Sequence, residues 1–256
     1  MSIRENRVVQ TLRTGGTVLS SSVRLPEAGL CEILGYAGFD FVLLDCEHGA
    51  VDPSTLDRMV QSCFAGGTVP VVRMLRPRDP EAVMLALDLG VQGILIPHCR
   101  TADDARALRQ AALYPPAGNR GFGPGRGTRW GRVPTAEYFR GINDTIFLFA
   151  LIEDPEAIDQ IDEIAGAGLD CLWVGTGDLA LAYGVPGERK HPRVMQAAQK
   201  ILDACKRHNI AAGWPASDAD DAKWAMAQGY RAIGHGGAES YIMQQSRQFL
   251  GALGRT

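Results

Sequence analysis

Eight short runs of β type, each followed by a segment of helical spacing, constrain this chain more than any other feature. The runs cover residues 17–23, 41–45, 69–74, 93–99, 147–153, 171–175, 211–216 and 231–236. Continuous apolar runs such as Phe41-Val42-Leu43-Leu44 suit strands buried on both faces, as in a parallel sheet covered by helices. The intervening segments carry helix boundaries with a physical basis. Asp52-Pro53-Ser54, Asp79-Pro80-Glu81, Thr101, Asp154-Pro155-Glu156 and Ser217-Asp218 open them, and Gly38, Gly66-Gly67, Gly90, Gly168 and Gly229 close them. A further opening lies near Pro26. The sixth helix is expected over residues 191–209 and the last around residues 239–253. Strand then helix, eight times, is the pattern of a (β/α)8 TIM barrel of the α/β class. At 256 residues the expectation is one barrel domain over residues 1–256, with no linker or low-complexity tract.

Composition excludes several roles. The formal net charge is −3 with both signs scattered, which makes no electrostatic case for nucleic acid or an anionic membrane surface. No apolar run approaches the ~20 residues of a membrane span, and the N-terminal residues lack the apolar core of a signal peptide. The six cysteines form no CxxC and several lie within apolar runs, so buried free thiols in a reducing cytoplasm are expected.

In a barrel of this kind the loops after the strands build the active face. Polar residues at those strand ends are therefore the candidates. They are Asp45, Glu47 and His48 after the second run, Arg73 after the third, His98 after the fourth and Glu153 after the fifth. Asp178 follows within Gly175-Thr176-Gly177-Asp178, Trp214 and Ser217 at the seventh, and His235 at the eighth. Each alone has a plain structural use: Arg73 in a surface ion pair, Asp178 as a helix cap, His98 and His235 as satisfied hydrogen bonders. Together they suit a divalent cation held by the carboxylates of Glu153 and Asp178, with Arg73 and a His48–Asp45 acid–base pair beside it. The only lysines, 190, 200, 206 and 223, lie in or near helices, so a Schiff-base lysine at a strand end is not expected. One connection, residues 114–146, runs about thirty residues and contains YPPAGNRGFGPGRGTRWGR. Its readings are a surface loop with subunit contacts, an anion site or a lid.

The segments GFDFVLLDCEHGAVD, PVVRM, LDLGVQGILIPHCRTADDARAL, YPPAGNRGFG, ALIEDPEAI and GTGDLALAYG, in that order, resemble the class II pyruvate aldolases of the HpcH/HpaI aldolase/citrate lyase family. The resemblance implies a (β/α)8 barrel, a homo-hexamer with exchanged C-terminal helices, and Mg²⁺, Mn²⁺ or Co²⁺. It implies reversible cleavage of a 2-oxo-4-hydroxy acid to pyruvate and an aldehyde. By position, Glu153 and Asp178 look like the metal ligands and Arg73 like the residue that stabilises the enolate oxygen. His48 and Asp45 look like the base and its orienting partner, and Asp88 like a further acid near that pair. Thr176, Gly177 and Asp178 look like the contacts of the substrate carboxylate. Two positions depart from the family pattern: Leu151 stands where many aldolases have Gln, and Gly175-Thr176-Gly177-Asp178 replaces a GPAD segment. Two other readings remain. One is a citrate-synthase-like condensation of oxaloacetate with an acyl-CoA on the same site; the other is a non-catalytic barrel that binds an oxo acid.

Overall fold

Eight parallel strands close on themselves in sequence order, β1 (Val18–Val23), β2 (Phe41–Asp45), β3 (Val69–Arg73), β4 (Gly93–Ile96), β5 (Phe147–Ile152), β6 (Cys171–Val174), β7 (Ala211–Ala216) and β8 (Ala232–Gly237). The computed structural model describes residues 3–255. Strands such as β2, β5 and β6 are apolar on both faces because each has two cores to fill. Val18, Phe41, Val69, Val71, Leu95, Phe147, Phe149, Leu151, Cys171 and Trp173 fill the barrel interior. The alternate residues, such as Val42, Leu44, Val72, Ile94, Leu148, Ile152 and Val174, pack against the surrounding helices. In the interior Phe147 stacks on Phe149 at 4.4 Å between ring centroids, and Phe41 meets both edge-on.

The helices are α1 (Arg7–Arg13), α2 (Ala28–Tyr36), α3 (Pro53–Ala65), α4 (Pro80–Asp88), α5 (Ala102–Ala112), α6 (Thr135–Gly141), α7 (Pro155–Asp159), α8 (Ile161–Ala165), α9 (Thr176–Ala182), α10 (Pro192–Arg207), α11 (Ala219–Gln228) and α12 (Ala238–Ala252). The caps read from sequence are formed at α3, α4, α5 and α11, where Asp52, Asp79, Thr101 and Asp218 accept from backbone N–H groups of the first turn. The first helix was not anticipated. It lays Val8, Val9 and Leu12 against the interior core and so plugs the floor of the barrel. Asn6 fixes it there: its side-chain oxygen caps the helix while its amide donates to the carbonyls of Gln92 and Thr145, both at 2.8 Å.

Because α5 ends at the floor and β5 begins there, the connection 114–146 lies at the floor, not over the mouth of its own barrel. It holds a short 3-10 turn (Arg126–Thr128), α6 and an aromatic cluster of Tyr114, Phe122, Tyr138 and Phe139. Arg120 pairs with Asp88 at 2.6 Å and Arg126 with Asp57 at 2.6 Å. The reading of this loop as a lid for its own site is therefore overturned by the direction of the chain. All six cysteines are unpaired, and no described helix is long and apolar enough to cross a membrane.

Candidate active site

The carboxyl ends of the strands surround one cavity of about 430 Å³. Asp45, Arg73, Glu153, Thr176, Gly177, Asp178 and His235 all line it, as do the floor residues Phe149, Leu151 and Trp173. Of the strand-end candidates, Asp45, Arg73, Glu153, Asp178 and His235 reach this cavity, and Glu47 and His98 adjoin it beside Glu153. Trp214 turns instead into the helix-facing core, and Ser217, His48 and Asp88 do not line the cavity.

Glu153 follows β5 and Asp178 sits in the first turn after β6. The register Ile152↔Val174 sets Glu153 beside Gly175. That glycine is required there, because a Cβ would collide with Glu153 Cβ and lie 3.2 Å from its Oε2. Glu153 is 3 % exposed. Its Oε1 accepts the His98 backbone N–H at 2.8 Å, and the His98 backbone adopts a left-handed φ of 46° to present that donor. Burial above all, with the charges of Asp178 and Glu47, pushes the Glu153 carboxyl up to about 7, against the opposing pull of His98.

Arg73 joins two acids. Its Nε and Nη2 clamp both oxygens of Asp45, and its Nη1 lies 3.1 Å from Glu47 Oε2. Asp45 is buried, which would raise its carboxyl. The Arg73 clamp and the backbone N–H groups of His48 and Glu47, each at 3.1 Å, hold it below the usual range instead. Asp45 therefore closes the turn 45–48 and fixes Arg73 with the same two oxygens. It does not orient the His48 ring, as the sequence reading expected. That ring is 60 % exposed, and its nearest carboxylate is Glu47, at 3.7 Å. The arginine occupies the lone pairs the imidazole would need.

Asp88 also lies apart from the mouth. It ends α4 at the barrel floor, paired with Arg120, and so is not brought to His48 and Asp45 within this chain. A helix after a strand runs back toward the floor, and Asp88 lies at its far end.

One participant was missed. Asp154, read as a helix cap, makes no cap; it accepts from His98 Nδ1 and Arg100 Nη2, each at 3.0 Å. Burial lowers the His98 pKa, but the bond to Asp154 and the charges of Glu153, Asp154 and Glu47 outweigh it and raise it. Glu47, His98 and Glu153 also bring ligand atoms within 4.8 Å of one another. The spacing of acids just past strand ends was visible in the sequence; their pairing was not. Cys46, in the same turn, is no nucleophile: burial, with Asp45, pushes its thiol up to about 11. No lysine lines the cavity.

The donor set fits a divalent cation. Among the described residues no Lys or Arg lies within 4.0 Å of the Glu153 or Asp178 carboxylate, while Glu153 is buried beside other acids. A hard cation that prefers oxygen ligands would balance them.

Residues 23–242 match the family model described as HpcH/HpaI aldolase/citrate lyase. A hydroxypyruvate/pyruvate aldolase of Sagittula stellata is 37 % identical over 207 residues, covering 79 % of this chain and 79 % of that protein. A 2-keto-3-deoxy-L-rhamnonate aldolase of Escherichia coli O157:H7 is 32 % identical over 227 residues, covering 88 % and 84 %. The crystal structure of an HpcH/HpaI aldolase/citrate lyase family protein from Burkholderia cenocepacia J2315 superposes with a TM-score of 0.90 at 28 % identity, covering 97 % of this chain and 99 % of that one.

Proposed function

The chain belongs to the HpcH/HpaI aldolase/citrate lyase family, and from that premise we propose that it is a class II pyruvate aldolase. It cleaves a 2-oxo-4-hydroxy acid reversibly to pyruvate, or a related oxo acid, and an aldehyde. The observation that carries this reading is Glu153 and Asp178 on adjacent strand ends, lining one cavity with Arg73 and, among the described residues, with no Lys or Arg within 4.0 Å of either carboxylate.

Glu153 and Asp178 would hold Mg²⁺, Mn²⁺ or Co²⁺, with Glu47 and His98 beside Glu153. The cation, when bound, supplies Lewis-acid polarisation of the 2-oxo group. The backbone around Thr176, Gly177 and Asp178 receives the substrate carboxylate. His48, exposed at the rim beside Glu47, takes the proton of the 4-hydroxyl directly or through one water. The C3–C4 bond breaks and its electron pair passes into the pyruvate half, whose developing oxyanion faces Arg73. The Asp45 clamp keeps that guanidinium in place before charge develops, so it need not reorganise during the reaction. Proton return to C3 completes pyruvate. The apolar floor of Phe149, Leu151 and Trp173 limits water at the reacting carbons.

The assembly we propose is a cytoplasmic homo-hexamer with α12 exchanged between subunits. Only Ala238 of α12 is buried, and Ile242, Met243, Phe249, Leu250 and Leu253 are exposed. An apolar face of that extent calls for a partner.

The test is a metal-supplemented assay of pyruvate with varied aldehydes, followed in both directions, beside an assay of thiol release from acetyl-CoA with oxaloacetate. Pyruvate turnover that chelation abolishes is expected. Thiol release without pyruvate release would assign the condensation instead, and oxo-acid binding with neither reaction would make the barrel a binding protein.

A further inference from the structure

Three turns of this chain carry Asp-Pro, at Asp52, Asp79 and Asp154. The first two aspartates cap the helices they open, each accepting a backbone N–H of the first turn. Asp154 opens α7 in the same way and makes no cap bond. Its oxygens are spent across the mouth instead. Oδ2 accepts from His98 Nδ1 and Oδ1 from Arg100 Nη2, each at 3.0 Å. The segment they hold is irregular. Ile96 pairs with Ala150, and the Cys99 N–H reaches the Leu151 carbonyl at 3.3 Å, so Pro97 and His98 sit between two points fixed to β5. There His98 takes a φ of 46°, which a side chain disfavours and a glycine adopts freely. In that conformation its backbone N–H meets Glu153 Oε1 at 2.8 Å.

A backbone conformation that costs free energy persists where its surroundings hold it. Here the hold is on the ring. Asp154, itself fixed by Arg100, grips the imidazole and keeps the adjoining peptide turned toward Glu153. Among the described residues that peptide N–H is the one hydrogen bond the Glu153 carboxylate receives, and it leaves Oε2 for an ion. Resting on the reading of Glu153 as a cation ligand, we propose that Asp154 is a positioning residue for the cation site, acting through the His98 ring on the His98 peptide, whose N–H aims the Glu153 carboxylate. The ring is a handle in this arrangement, and the peptide beside it does the aiming.

The experiment is calorimetric titration of the full-length protein with Mn²⁺, with the melting temperature of every variant recorded in chelator. Asp154→Ala should weaken Mn²⁺ binding by about 10- to 100-fold, as for other residues that support metal ligands. A second comparison, His98→Gly against His98→Ala, needs no change at Asp154. Both variants keep the peptide N–H and lose the ring, but only glycine takes a φ near 46° without strain. His98→Gly should therefore bind Mn²⁺ more tightly than His98→Ala. On the His98→Gly background, Asp154→Ala should cost only a small part of what it costs in wild type, because the two residues act in series. An equal loss on both backgrounds would show that Asp154 acts by its charge and would overturn the proposal. His98→Gly binding as weakly as His98→Ala would make the ring the contributor and overturn it too, as would wild-type affinity in Asp154→Ala. Absence of Mn²⁺ binding in wild type would instead remove the cation reading, and this proposal with it.

Discussion

Asp45 shows how much a single buried carboxylate can organise. Its two oxygens receive the Arg73 fork and the N–H groups of the turn that follows, so one side chain sets both the guanidinium and the path of the backbone to His48. Arg73→Ala should lower turnover by on the order of 10²–10³ with the fold retained, as expected when one preorganised charge stabiliser is removed. Steady-state kinetics of the purified variant measure this, and wild-type turnover would take Arg73 out of the chemistry. Glu153 gives a pH prediction. Its carboxyl, ordinarily near 4.5, is pushed up to about 7 in the folded protein without cation. Between those values the unfolded chain releases the proton first, so this group makes the metal-free fold less stable as pH rises. A cation needs the carboxylate, so cation affinity should rise through the same window, by up to about tenfold per pH unit, and level off above about 7. Thermal unfolding in chelator and in Mn²⁺, from pH 5 to 8, reads both. A cation-induced gain in melting temperature that is flat with pH would contradict the assignment.

At the scale of elements, the strands were nearly complete in the sequence. The second and seventh match the reading residue for residue, the eighth is shifted by one residue at both ends, and the others differ by one to three residues at one end. Apolar runs flanked by Gly and by Asp-Pro leave few alternatives, and strand ends fix where the mouth must be. Three helices were not legible. The first hides in a polar stretch where only Asn6 and the spacing of Val8, Val9 and Leu12 mark it. The seven-residue helices α6 and α9 are too short to show a period, and α6 lies in a Gly- and Arg-rich connection. Pairing was hidden for a different reason. Whether Asp45 meets Arg73 or the His48 ring, or Asp154 caps a helix or meets His98, is settled by neighbours distant in sequence. Gly175 joins the two scales, since its missing side chain makes room for Glu153. Gly175→Ala should displace Glu153 and weaken cation binding by about 10- to 100-fold, as for residues that support metal ligands. Calorimetric titration with Mn²⁺ checks it, and unchanged affinity would mean that Glu153 does not bind the ion.

Across the whole molecule, the two ends of the barrel are chemically different. The mouth gathers acids with Arg73, Arg189 and His98, while the floor carries the α1 plug, the Asp88–Arg120 pair and the aromatic cluster of the long connection. The apolar face of α12 is the interface of the proposed hexamer, so a chain ending at Gly237 should run as smaller species than the full-length protein in light scattering. A truncated chain that stays hexameric would place the interface elsewhere. Anomalous diffraction from crystals soaked with Mn²⁺ and pyruvate tests the catalytic account most directly. The account predicts one peak bridged by Glu153 and Asp178, with pyruvate reaching it and Arg73 alongside. A peak held by Glu47 and His98 without Asp178, or pyruvate bound with no ion between those two acids, would contradict it.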